Sequence, residues 1–238
     1  MCWRIVRIQG DGSVKLVLAD SMNLCDGEGY SVDNSSSAFV GNGDSGYYGG
    51  NLYSLESTSG MRVKLNEWFS NNFSSVNDYV KLEDWCSGKH FKYNIALEAG
   101  IKLGPGSGYT DSYKRFTVDK TASLICDVES LVEENIGVLY VDEIMFAGAI
   151  YDESDSVSLV NYLKTNSNSN NWRIFGFMLL NMDYITDSEI YKVSSNGNVL
   201  SDTFSSDSYY RPSIVLKDTV KVLGSGTIEE PYEVVSVN

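Results

Sequence analysis

Four cysteines, spread widely over 238 residues, constrain the fold of this chain more than any other feature of its sequence. Cys2 and Cys25 flank the first apparent hairpin, and Cys86 and Cys126 flank a polar, glycine-containing stretch in the middle of the chain. An even number of cysteines at these positions, without a Cys-x-x-Cys motif, predicts two structural disulfides, Cys2–Cys25 and Cys86–Cys126. Disulfides persist outside the reducing cytosol, so we expect an extracellular or cell-surface protein.

A zinc site is the alternative use of four cysteines. Structural zinc sites usually have short, paired spacings between their ligands, whereas successive cysteines here are far apart in the sequence. The single histidine, His90, adds little to a metal site. Disulfides therefore rank ahead of a metal, and each would stabilise the fold by roughly 3–4 kcal/mol if it is unstrained.

The composition is that of an acidic globular protein. Hydrophobic residues make up 42% of the chain, and the formal net charge is -14. A nucleic-acid backbone would be repelled by such a surface. Calcium is left open as a ligand, because oxygen-bearing residues lie at 33–35 and 42–46, within a segment rich in glycine and serine. No apolar run reaches the ~18 residues that span a bilayer, and the chain starts directly with a strand-like pattern, so we expect that an export signal or anchor has been removed.

Hydrophobic periodicity predicts a hairpin and a helix in the first third. Residues 2–8 and 14–19 alternate apolar and polar side chains around a glycine turn, which is typical of a β-hairpin. A long segment rich in glycine and serine, 26–60, follows and is expected to be an ordered loop. The stretch 61–73 predicts an amphipathic helix whose apolar stripe packs into the core, namely Leu65, Trp68, Phe69 and Phe73.

The rest of the chain predicts short helices followed by strands. We expect a second short helix at 77–84, a strand at 136–140 that continues into a helix over 141–148, and one or two helical turns at 155–164. Strands are expected at 171–180, 190–193, 199–204 and 211–216. The sequence Asn196-Gly197 between two of these strands indicates a tight hairpin turn.

Several segments, taken in order, resemble a family of bacterial surface and secreted domains found in gut Firmicutes. The resemblance begins at Trp3 to Val14 and spans nearly the whole chain. The later segments are Leu65 to Trp68, Trp85-Cys86, Ile136 to Leu139, Asp142-Glu143, Ala147-Gly148, Arg211 to Lys217, Gly224 to Thr227 and Pro231-Tyr232. These domains are similar to the C-type-lectin-like superfamily, which also contains the sulfatase-modifying enzymes.

The resemblance implies an α+β, C-type-lectin-like fold in which two main helices pack on small antiparallel sheets with long loops. It implies one such domain over residues 1–217 and a C-terminal extension over 218–238. It also implies a non-catalytic recognition module that binds a glycan or a protein outside the cell. The alternative is a structural subunit of a surface appendage, in the manner of a pilin tip or stalk, and a hydrolase ranks third.

Candidate binding residues follow from the position of binding loops in that fold, near the late strands. Tyrosine rings stack on sugars and serve protein contacts equally well, and carboxylates accept hydrogen bonds. The candidates are Asp183, Tyr184, Asp187, Tyr209 and Tyr210. No catalytic residue, metal ligand or cofactor is predicted, because His90 has no Gly-x-Ser-x-Gly nucleophile motif near it and the acids show no pattern that selects a pair.

Overall fold

The computed structural model describes residues 3–18, 60–86, 92–93, 109–110, 121–124, 131–139, 141–146, 149–150, 158–159, 177–182, 189–193, 199–203, 212–226, 230 and 232–237. Within these ranges the protein is an α+β structure of few helices and small antiparallel sheets. The helices are α1 (Gly60–Phe73) and α2 (Val141–Phe146), with a 3-10 helix at Asn77–Tyr79. In chain order the strands are β1 (Trp3–Ile8), β2 (Val14–Leu18), β3 (Glu83–Cys86), β4 (Lys92–Tyr93), β5 (Tyr109–Thr110), β6 (Leu131–Glu134), β7 (Ile136–Gly137), β8 (Ala149–Ile150), β9 (Ser158–Leu159), β10 (Phe177–Met182), β11 (Glu189–Val193), β12 (Val199–Thr203), β13 (Ser213–Leu216), β14 (Val220–Leu223) and β15 (Glu233–Val237).

The largest sheet joins the two ends of the chain. Its strand order is β1-β2-β13-β7, so the N-terminal hairpin pairs with a strand from the last part of the sequence. Trp3 pairs with Leu18, and Ser213 pairs with both Val17 and Gly137, which places these residues at one end of the sheet. We call this the entry end, because the chain leaves β2 and enters β13 there. The opposite end, where the turn between β1 and β2 lies, is the turn end.

The predicted N-terminal hairpin is confirmed, with one irregularity. Ile5 pairs with Leu16, but Arg7 rather than Val6 pairs with the next residue, Lys15. Val6 is therefore the extra residue of a β-bulge. The bulge explains why alternation along this strand is imperfect in the sequence, where Ile5 and Val6 are adjacent apolar residues.

Helix α1 confirms the prediction for 61–73 and covers one face of the main sheet. Leu65, Phe69 and Phe73 are buried in a core with Leu16, Leu18, Val80, Ile136, Val138 and Ile214. The ring of Trp3 meets the edges of Trp68 and Phe73, at centroid distances of 6.3 and 5.6 Å. Burying each large apolar side chain stabilises the folded state by about 1.5–3 kcal/mol, so these contacts are the main interaction between α1 and the main sheet.

The helix prediction for 77–84 is right only in its first turn, and the prediction for 155–164 is wrong at the two residues described there. The stretch 77–84 contains the 3-10 helix at Asn77–Tyr79 and then the start of β3, which pairs with β6 from Glu83↔Glu134 to Cys86↔Leu131. Strand pairing to a distant segment overrides the local pattern here. Within 155–164, the described residues Ser158–Leu159 form β9 and pair with β8.

The late strands largely agree with the sequence pattern. Strands β11 and β12 form the predicted hairpin, with Val193 opposite Val199, and β10 pairs with the other edge of β11. In the stretch expected as 171–180, the described strand is Phe177–Met182. At β13 the strand begins at Ser213, after the buried Pro212. The last two strands, β14 and β15, form a separate two-stranded ribbon.

Candidate functional site

The face of the main sheet opposite α1 carries charged side chains. Along β2, Leu16 and Leu18 point to α1, so Lys15 lies on the other face. Because the bulge at Val6 shifts the register of β1, Arg7 is the direct cross-strand neighbour of Lys15. Two cations are therefore held side by side on a face that is covered by the rest of the protein.

Lys15 is buried and is held by a carboxylate from α2. Its side chain is 4% exposed, and its Nζ lies 2.6 Å from Oε1 of Glu143, whose side chain is 1% exposed. Arg7 Nε lies 3.8 Å from the same oxygen, so the three residues form a cluster that we call the charge cluster. The Lys15 ammonium also lies 4.3 Å from the ring centroid of Trp85, in a cation–π arrangement. Burial lowers the pKa of Lys15 below its ordinary value, because desolvation of the ammonium outweighs the attraction of Glu143.

Trp85 reaches the cluster because β7 has a glycine beneath it. A Cβ on Gly137 would overlap Cε3 of the Trp85 ring, so no side chain fits at this position. The indole Nε1–H donates to the carbonyl of Glu134, 2.9 Å away, and this bond fixes the orientation of the ring. β3 and β7 are thereby packed together over the Lys15 side chain.

Both acids of α2 are used to attach this short helix to its surroundings. Glu143 holds Lys15, while the fully buried Asp142 accepts a hydrogen bond from the backbone N–H of Ser123 at 2.9 Å. Acids in the first turn are favoured by the positive end of a helix. These two acids also join α2 to the main sheet and to the segment 121–124.

A second polar network lies at the turn end of the main sheet and joins the β1–β2 turn to the residues before and within β3. Lys81 Nζ lies 2.8 Å from Asp11 Oδ2 and 2.8 Å from Glu83 Oε2. Gln9 donates to the other oxygen of Glu83 at 2.9 Å, and Ser13 hydroxyl contacts both Gln9 and Asp11. The hydrogen bond to Lys81 and those to Ser13 hold the pKa of Asp11 well below its usual value, and the Asp11 bond raises the pKa of Lys81. The turn is thus fixed to the segment that leads into β3.

The residues predicted to bind a ligand lie outside the described residues, as do Cys2, Cys25 and Cys126. The strands next to them are described. Asp183, Tyr184 and Asp187 belong to the connection 183–188 between β10 and β11, and Tyr209 and Tyr210 belong to the connection 204–211 between β12 and β13. Glu189 pairs with Thr203, so both connections attach at the same end of the β10-β11-β12 sheet. Cys86 ends β3, opposite Leu131, and the two predicted disulfides remain predictions.

Two further kinds of feature are absent from the described part of the chain. Those residues include no group of three or more His, Cys, Asp or Glu side chains arranged to hold a metal ion. No helix among them is both long enough and apolar enough to cross a membrane. The loops 33–35 and 42–46, considered above for calcium, are outside the described ranges.

The charge cluster was not predicted from the sequence. A signal for it exists in β2, Val14–Leu18, where four apolar residues surround one lysine. Val17 is as buried as Leu16 and Leu18, so this strand has no solvent-facing side and its lysine requires a buried partner. Nothing in the local pattern identifies Glu143 as that partner.

Comparison of the chain with protein-family models, curated proteins and solved structures gives no match.

Proposed function

We propose that this protein is an extracellular, disulfide-bonded recognition module of the C-type-lectin-like kind, which binds a glycan or a protein without catalysis. One observation carries the proposal. The pairing of Glu189 with Thr203 attaches the connections 183–188 and 204–211 at the same end of one small sheet. These two connections contain all five residues proposed to bind.

The link from this end to the main sheet adds support. Pro212 is buried, and its carbonyl accepts a hydrogen bond from the backbone N–H of Leu18 at 2.8 Å. In the sequence, Tyr209 and Tyr210 come three and two residues before Pro212. The proposed binding segment therefore continues directly into a residue that is hydrogen-bonded at the entry end of the main sheet.

The charge cluster fits a scaffold better than a reaction centre. Lys15 and Glu143 are both buried, and each is engaged with the other, so neither reaches a molecule at the surface. Buried charges of this kind are costly to separate. Their role in the proposal is to hold α2 and the main sheet together.

Binding is tested with a glycan array, in the presence and absence of calcium, using the protein and three variants. Tyr184→Ala and Tyr209→Ala are expected to weaken binding about tenfold or more, because each removes an aromatic contact. Tyr232→Ala is the matched control, since it removes an exposed tyrosine that lies just before β15, outside the proposed site. An array without any signal would favour the structural appendage role, and equal loss in all three variants would contradict the proposed position of the site.

The extracellular assignment is tested separately by non-reducing peptide mass spectrometry. Cys2 adjoins Trp3, which pairs with Leu18, the last described residue before the segment that contains Cys25. Peptides joined through Cys2–Cys25 and Cys86–Cys126 are the expected result. Free thiols, or crossed pairing, in protein secreted through an oxidising compartment would contradict it.

A further inference from the structure

β1 is an edge strand whose outer backbone groups are available for hydrogen bonding. It is first in the strand order β1-β2-β13-β7, so among the described strands it has a neighbour on one side only. The backbone N–H of Leu18 donates to the residue just before β13, so Trp3, which is opposite Leu18, directs its N–H and C=O away from β2. Gln9 donates its backbone N–H to Ser13 across the turn, so the preceding residue, Ile8, also directs its backbone groups outward.

This outer edge of β1 carries exposed apolar side chains on the face that α1 covers. Ile5 is opposite Leu16, which is buried in the core beneath α1, so both side chains lie on that face. Ile8, past the bulge, is opposite Val14, which packs against the same core. Nevertheless, Ile5 is 52% exposed and Ile8 is 71% exposed. Exposed apolar residues beside outward-directed backbone groups are typical of a strand to which a further strand can be added.

The ribbon of β14 and β15 has a second exposed edge. β15 pairs with β14 and with no other described strand. Val234 is opposite Val222, so one face of the ribbon carries valines, and the neighbouring Glu233 lies on the other face. Val234 is 46% exposed, and Val222 is exposed as well. An isolated two-stranded ribbon is at most marginally stable in water, so a contact that covers its valines would stabilise it.

The charges of β1 and β15 are complementary. β1 contains two arginines and no acid, whereas β15 contains Glu233 and no base. Like charges directly opposite one another destabilise paired strands, so β1 is a poor partner for a second β1 and for β14, which contains Lys221. In a chain whose net charge is -14, β1 is thus a cationic edge that favours an acidic strand.

We propose that β15 of one copy of this chain adds to the outer edge of β1 in a second copy. A strand can lie along β1 in either of two directions, and one of them places the valine face of the ribbon beside Ile5 and Ile8. In that direction Glu233 comes to the opposite face of the sheet, which carries Arg7. Backbone hydrogen bonds join the two copies, and the side chains select the partner strand.

The two strands that meet in this contact are different, so association is head-to-tail. Each copy uses its β15 toward one neighbour and keeps its β1 for another, which allows growth beyond a dimer. The contact does not involve the connections 183–188 and 204–211, so it does not depend on the proposed function.

Sedimentation velocity of the whole protein tests the contact, at concentrations up to about 1 mM because a small interface associates weakly. The unaltered protein is expected to form oligomers whose size increases with concentration. Ile8→Lys places a charge at the edge of β1, and Val234→Lys places one on the valine face, so each is expected to weaken self-association about tenfold or more. Both side chains are exposed in a single copy, and far-ultraviolet circular dichroism verifies that each variant is folded.

A mixture of these two variants distinguishes head-to-tail pairing from pairing of identical strands. Ile8→Lys retains an unaltered β15 and Val234→Lys retains an unaltered β1, so an equimolar mixture is expected to form a one-to-one dimer that grows no further. Glu233→Lys replaces the attraction to β1 by repulsion and is expected to weaken self-association about tenfold or more. Phe146→Lys is the matched control, since it changes an exposed apolar residue of α2, outside both strands, and is expected to associate as the unaltered protein does.

Four results would overturn this proposal. The first is an unaltered protein that stays monomeric up to about 1 mM. The second is undiminished association of Ile8→Lys, Val234→Lys or Glu233→Lys, and the third is an equal loss in Phe146→Lys. The fourth is an equimolar mixture of the two edge variants that stays monomeric. Each leaves the glycan-array result untouched, because the variants expected to lose glycan binding lie in other segments.

Discussion

Breaking the buried ion pair between Lys15 and Glu143 is expected to destabilise the protein more than replacing both members. In Lys15→Met the Glu143 carboxylate loses the contact at 2.6 Å, and its side chain is only 1% exposed, so solvent cannot replace the ammonium. Removing one partner of a buried pair costs about 3–5 kcal/mol. For a chain of this size each kcal/mol corresponds to about 2–4 °C, which gives a fall in Tm of roughly 6–20 °C. Glu143→Leu is expected to fall in the same range.

The double variant Lys15→Met/Glu143→Leu removes both charges and keeps similar side-chain volume, so its free energy of unfolding is expected to equal or exceed that of the unaltered protein. Arg7 then loses its only ion-pair partner among the described residues, but its exposed end can turn to solvent. Urea unfolding followed by tryptophan fluorescence measures all three free energies, with Trp85 beside the altered site. Lys81→Met, at a partly exposed pair, is the control and is expected to lose much less. A double variant that is less stable than either single one would refute this reasoning.

Three further predictions concern the main sheet and its turn. Gly137→Ala is expected to lower the free energy of unfolding, measured in urea, by about 1–3 kcal/mol, because its Cβ would collide with the Trp85 ring. Gly10→Ala is the control, because a Cβ there meets nothing within 4 Å. Equal effects of the two substitutions would contradict the packing of Trp85 on Gly137. Ser213→Ala is expected to leave Tm unchanged or raise it, because the buried Ser213 hydroxyl has no hydrogen-bond partner among the described residues. A fall in Tm of several degrees would show that this hydroxyl makes a hydrogen bond and would contradict the prediction. Asp11→Asn is expected to reduce the free energy of unfolding at neutral pH. The deficit should shrink as the pH falls below about 3.9, the pKa of Asp in the unfolded chain. A carboxyl whose pKa is lowered by folding stabilises the protein above its unfolded-state pKa, and it loses that effect when it is protonated. A deficit that stays constant down to pH 2 would contradict the pairing of Asp11 with its lysine.

The sequence predicted those parts of the fold whose pattern is local. The hairpin of β1 and β2 alternates around a turn, and α1 has its apolar residues at helical spacing, so both were predicted correctly. The end of the stretch 77–84 was predicted wrongly because β3, which begins at Glu83, is determined by its pairing with β6, far along the chain. Local periodicity contains no information about such a partner.

The charge cluster shows the same limit at the level of side chains. Lys15 stands among four apolar residues of β2, which indicates burial, but its partners Trp85 and Glu143 come from distant segments. These contacts join residues that are distant in the sequence. The predicted binding residues are a different case, because the strand pairing of Glu189 with Thr203 brings together the ends of the segments that contain them.

The bulge at Val6 has a consequence for comparing this chain with others. Trp3, Arg4 and Ile5 pair with Leu18, Val17 and Leu16, and after the extra residue Arg7 and Ile8 pair with Lys15 and Val14. A chain without Val6 could keep every one of these pairs in an unbroken strand. Length variation of one residue at this position is therefore neutral for the pairing of the sheet, and an alignment that forbids a gap there would exchange inward and outward positions along the strand.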